Sequence, residues 1–228
     1  MNVNKKVNLY MLAGVATSDD FLDGVCEELC QRYKNLGWQV NAQILHPYGN
    51  WSRRIRKQIF EVHQDMRLSK SWKKSSSRGR QVTDAIKASY TDGQIVLIGH
   101  SAGGIVGIHA AVLLHQEGLE VHKLVEIGAP KSYVPPQLQD RVLYVYTSKR
   151  NNRATDPITR IGSWGGWERN SQGLPRWNNK KFAPSHICPI QLIGKHADYF
   201  RGRVPYVNET GHSNLDITMT CVWPWLME

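Results

Sequence analysis

Acidic residues, cysteines and long apolar runs are all scarce in this sequence. The 19 Asp plus Glu are outnumbered by 29 Lys plus Arg, so the 228-residue chain carries a formal charge of +10 at pH 7. Its four cysteines, Cys26, Cys30, Cys188 and Cys221, are too few and too irregular for a disulfide-dense secreted fold, and Cys26-x-x-x-Cys30 is neither a redox pair nor a zinc knuckle. Reduced thiols are the expectation. No run approaches the ~18 apolar residues of a membrane span. With no H-E-x-x-H, no paired Cys/His set and no Walker lysine, neither a catalytic metal nor a cofactor is expected.

What is present excludes disorder and a fibrous fold. Hydrophobic residues make up 41% and charged residues 21%, and the length suits one globular domain over residues 1–228. The positive charge is concentrated. Residues 51–80 hold ten Lys/Arg against Glu61 and Asp65, and residues 148–182 hold eight against Asp156 and Glu168, so the rest of the chain is net negative. A basic scaffold is excluded, and nucleic acid is not an expected partner, because residues 51–80 lack aromatic interleaving beyond Trp51 and Trp72.

Six short apolar runs read as strands: Lys6 to Ala13, Gln39 to Leu45, Gln94 to Ile98, Val121 to Ile127, Arg141 to Thr147 and Ile187 to Ile193. Between them Phe21, Val25, Leu29, Tyr33 and Leu36 recur at helical spacing, as do Ile55, Ile59, Val62 and Met66, and Val82, Ala85, Ile86 and Ser89. Alternating strands and helices predict an α/β fold with a mostly parallel six-stranded sheet. Lys5-Lys6 and the apolar stretch Val7 to Ala16 imitate a signal peptide, but reading that stretch as the first core strand favours a cytoplasmic location. Two segments break the rhythm. Ser69 to Gly79 reads as a Ser/Lys/Arg-rich linker, and residues 148–186, with Trp164, Trp167 and Trp177, as a lid or an insertion with structural Trp anchors.

Chemistry enters at Gly99-His100-Ser101-Ala102-Gly103, a G-x-S-x-G that follows a strand and opens a helix from Ile105 to His115. A serine on so sharp a turn has strained backbone angles, and the flanking glycines avoid collisions with neighbouring elements. Ser101 is thereby a candidate nucleophile, and the Ala102 amide, at the helix N-terminus, a candidate oxyanion donor.

Through these residues the chain resembles the α/β-hydrolase family, and in its economy the small minimal-core bacterial lipases and esterases. The resemblance implies a three-layer fold and places Ala13-Gly14-Val15-Ala16 at the oxyanion loop, with the Val15 amide as second donor and Ala13 where such lipases carry histidine. It implies hydrolysis of a small-molecule or lipid ester through an acyl-enzyme. The family's chain order is Ser, acid, His. Two pairs compete for the remaining roles. Asp198 with His212 imitates the end of a larger hydrolase, but requires a parallel strand at Arg203 to Val207 only eight residues after the preceding one, against the dozen or so a crossover needs. Asp156 with His196 avoids that crossover and is preferred. Thioester cleavage with Asp198/His212, or a non-catalytic hydrolase-fold protein binding anionic partners, remain the rival readings. Both basic segments follow strands whose ends face the nucleophile, so an anionic substrate or surface is a further expectation.

Overall fold

A computed structural model describes residues 5–49, 52–70, 76–149 and 153–228. Trp51, Trp72, residues 71–75 of the expected linker and residues 150–152 lie outside them.

The six expected strands form one sheet in the order β2-β1-β3-β4-β5-β8, all pairs parallel. In chain order they are β1 (Lys6–Leu12), β2 (Gln39–Leu45), β3 (Gln94–His100), β4 (Val121–Ile127), β5 (Val142–Thr147) and β8 (His186–Ile190). Period-two alternation sorts their side chains between two cores. Val7, Leu9 and Met11 of β1 join Val96 and Ile98 of β3 beneath α1 (Asp23–Asn35) and α5 (Asn214–Met227). Tyr10, Leu12, Ile95 and Leu97 point the other way, toward α3 (Ser77–Ser89) and α4 (Ala102–Gln116). α2 (Ile55–Leu68) lies on this second face, its Asp65 carbonyl bonded to His109 of α4. The result is the expected three-layer α/β architecture.

Strand order reverses at β1: the chain steps outward to β2, then returns to pair β3 on the other side. Loops leaving β1 and β3 therefore part at their C-terminal ends and leave a crevice, the place where open α/β sheets bind ligands.

Three expectations are corrected. The linker ends earlier than composition suggested: Ser77 to Gly79 are helical because the buried Ser76 caps α3, its hydroxyl accepting from the Gly79 amide. The last strand stops at Ile190 because the Ile193 backbone bonds instead to the side-chain amide of Asn214, at the start of α5. Finally, Cys188 of β8 and Cys221 of α5 are joined in a disulfide, leaving only Cys26 and Cys30 as thiols. Within residues 148–186, β6 (Gly166–Arg169) and β7 (Pro175–Asn178) form an antiparallel hairpin. No described helix is long and apolar enough to cross a membrane.

Candidate active site

Ser101 sits between β3 and α4 with φ 56° and ψ −130°, a left-handed conformation that a non-glycine residue adopts only under strain. The turn closes tightly because Gly103 carries no side chain: a Cβ there would lie 2.1 Å from the Leu12 carbonyl oxygen at the end of β1. Gly14 is similarly obligatory, since a Cβ on it would fall 2.7 Å from Ser101 Cβ and 3.2 Å from Oγ. The loop after β1 is thus laid directly against the serine.

Ser101 Oγ is 2.8 Å from His196 Nε2, and His196 Nδ1 is 2.7 Å from Asp156 Oδ2. Three distant segments supply this chain: the β3–α4 turn, the segment after β5, and a 3-10 turn (His196–Asp198) beyond β8. The Asp156 carboxylate is fully buried and satisfied, since Oδ1 accepts the Ile158 amide at 2.9 Å and Oδ2 also accepts the Tyr199 hydroxyl at 3.1 Å. The His196 side chain keeps 26% of its surface exposed, an opening toward which a substrate can approach.

Neither the Val15 nor the Ala102 amide has a hydrogen-bond partner among the described residues, whereas the next amide, Ala16, is taken by the buried Gln58 of α2 at 2.8 Å. Ala16 has φ 53°, so the loop after β1 is itself strained and held by Gln58.

The competing pair is not assembled. Asp198 Oδ2 accepts the Lys195 amide at 2.7 Å, a local cap of its own turn. His212 is exposed, its amide on Asn208 and its ring near the Thr210 hydroxyl. Residues 203–207 form turns and a single antiparallel bridge from Val207 to Ser213 in place of a parallel strand. Gly211-His212-Ser213 resembles a catalytic turn because it begins a helix: Ser213 and Asp216 make a reciprocal capping box on α5.

Three neighbours were not singled out as site residues from sequence. Tyr199 donates to Asp156 and accepts the Thr147 amide at 3.1 Å; its only sequence signal is its position three residues after His196. Gln58 lies between the apolar positions Ile55 and Ile59 and carries no motif. His100, the variable residue of the G-x-S-x-G, has its Nε2 3.1 Å from the His196 carbonyl and its ring stacked on His196 at 4.9 Å. Burial, reinforced by the His196 ring, pushes the His100 pKa down to about 3, so it is neutral and its Nε2–H donates to that carbonyl. Phe21 and Phe200 pack against it.

The expected basic flank is only partly free. Arg53 pairs with Glu61 at 2.9 Å and Arg78 with the buried Asp65 at 2.6 Å, so much of the charge in residues 51–80 is neutralised internally. Among the described residues no cluster of His, Cys, Asp and Glu could hold a metal ion.

Residues 76–170, which contain Ser101 and Asp156 but stop short of His196, match the family described as PGAP1-like alpha/beta domain. Among solved structures the chain is similar to the NocB thioesterase domain from the nocardicin cluster, with 14% identity, 97% of this chain and 94% of that chain covered, and a TM-score of 0.57. A covalent complex of the same domain with a fluorophosphonate nocardicin G analog gives 13% identity, coverage of 98% and 96%, and a TM-score of 0.55. Comparison with curated proteins gives no match.

Proposed function

From the premise that this chain has the α/β-hydrolase fold, we propose that it is a serine hydrolase cleaving an ester or thioester through an acyl-enzyme on Ser101. The observation that carries the reading is the unbroken hydrogen-bond chain Ser101–His196–Asp156, built from three segments that only the fold brings together.

In this mechanism His196 Nε2 takes the Ser101 proton as Oγ attacks the carbonyl carbon. Asp156, on Nδ1, holds the ring in the required tautomer and balances the imidazolium. The unpartnered Val15 and Ala102 amides receive the developing oxyanion, aided by the N-terminal end of α4. His196 then protonates the leaving alcohol or thiol, and water, deprotonated by the same nitrogen, releases the acid. His100 fixes the backbone of His196 and Tyr199 the carboxylate of Asp156.

Residues 153–186 act as an insertion that delivers the acid, in preference to a lid. Trp164 packs edge-on to Tyr144, Phe182 stacks on Tyr133, and the Phe182 amide bonds to the Trp164 carbonyl, so the segment is anchored at several points. The disulfide favours an oxidising compartment over the cytoplasm.

The test is labelling by a fluorophosphonate probe together with turnover of p-nitrophenyl butyrate. Ser101→Ala should abolish labelling, and His196→Ala should lower kcat by roughly 10⁴-fold while His212→Ala leaves it near the parent value. The opposite ranking of the two histidine variants would overturn the assignment; absence of labelling in the parent protein would overturn the activity.

A further inference from the structure

A cavity of about 330 Å³ is walled by the C-terminal turn of α2, residues 131–133 and residues 161–163. Its charge is one-sided. Arg67, Lys70 and Lys131 line it, none of them ion-paired among the described residues, and no carboxylate does. Two of the cations are oriented by aromatic faces, Lys131 Nζ 5.1 Å from the Trp164 ring centre and Lys70 Nζ 5.8 Å from that of Tyr133.

An independent feature points to a ligand. Ser132 is 2% exposed, lines the same cavity, and its hydroxyl has no hydrogen-bond partner. Buried hydroxyls are normally bonded, and an oxyanion in the cavity would accept this one. Both inner walls run continuously from the acid's surroundings. Gly128, three residues before Lys131, abuts Asp156 Oδ2 and Tyr199, and residues 161–163 follow Asp156 after one 3-10 turn (Ile158–Arg160). The Lys131 amide bonds to the Ile161 carbonyl at 2.8 Å and ties the two walls together.

We propose that this cavity binds a phosphate group carried by the substrate, with Arg67, Lys70 and Lys131 supplying charge and Ser132 a buried donor. The inference rests on the serine-hydrolase reading for its catalytic consequence but not for binding itself. A phosphate could belong to a thioester carrier or to a lipid headgroup, and matched substrate pairs separate the two.

The experiment measures kcat/KM for butyryl-coenzyme A against S-butyryl-N-acetylcysteamine, and for oleoyl lysophosphatidate against monoolein, in the parent protein, Ser132→Ala and Arg67→Gln/Lys70→Gln. In one pair the ratio of phosphate-bearing to neutral substrate should fall about tenfold in the first variant and about 100-fold in the second, as expected for lost charge-assisted hydrogen bonds. The pair that responds identifies the source of the phosphate. Calorimetric titration with inorganic phosphate reads the site even if no substrate is turned over: one equivalent should bind the parent protein and none the double variant. Unchanged ratios in both pairs, or phosphate binding that is absent or equal in parent and variants, would overturn the proposal. Failure of turnover with intact, variant-sensitive phosphate binding would instead count against the hydrolase reading alone.

Discussion

Glu126 lies on β4 behind the Ser101 turn, fully buried, with neither carboxyl oxygen hydrogen-bonded. A Cβ on Gly104, in the first turn of α4, would be 3.2 Å from its Oε1. Burial raises its pKa from 4.5 to about 8, so the folded protein keeps a proton there that the unfolded chain releases. Between those two values the folded state binds more protons, and stability falls as pH rises by about 1.4 kcal/mol per pH unit. The stabilising effect of the neutral form is complete below pH 4.5 and lost by the time pH passes 8. Glu126→Gln keeps the shape and removes the titration. The difference in unfolding free energy between variant and parent should therefore shift in favour of the variant by about 3 kcal/mol from pH 5.5 to pH 9. Urea unfolding followed by tryptophan fluorescence at both pH values measures this, and every other titrating group cancels in the comparison. Parallel pH profiles for the two proteins would refute the reasoning.

Three further outcomes are expected. Tyr199→Phe removes a donor to Asp156 and leaves the buried Thr147 amide unpaired, so kcat should drop about tenfold with little change in KM, alongside ~1–3 kcal/mol of stability, measured by p-nitrophenyl ester kinetics and urea unfolding. Asp65→Ala removes the 2.6 Å partner of Arg78, leaving it the Glu61 carboxylate at 3.9 Å, and removes the acceptor of the Tyr48 hydroxyl, at a cost of about 3 kcal/mol in urea unfolding. The Cys188–Cys221 bond spans 33 positions, so Cys188→Ser should lose about 4 kcal/mol and make the melting temperature insensitive to reductant; superimposable melts of parent and variant would contradict it.

Local pattern was enough for the scaffold and for the strained serine turn. Apolar runs at period two, helical stripes between them and a glycine-flanked serine at a strand end are statements about neighbouring residues, and the six-stranded parallel sheet and the strained Ser101 turn follow from them. The crossover-length argument, also local, favoured His196 over His212, and chain order favoured Asp156 over Asp198; the fold places His196 within hydrogen-bond reach of both Ser101 and Asp156. Contacts between remote segments left no such trace. Gln58 reaches the Ala16 amide across 42 positions, Tyr199 reaches Asp156 across 43, and His100 reaches the His196 carbonyl across 96. Each is a single polar side chain whose partner lies far along the chain, and neither a period nor, for His100, the motif around it names that partner. The same holds for Cys188 and Cys221, whose partnership depends on how α5 packs on the edge strand. Charge followed the same division: its concentration in two segments was readable from composition, but which cations are neutralised, as Arg53 and Arg78 are, and which line a cavity, as Arg67, Lys70 and Lys131 do, was decided by packing that sets a distant carboxylate beside one and none beside another.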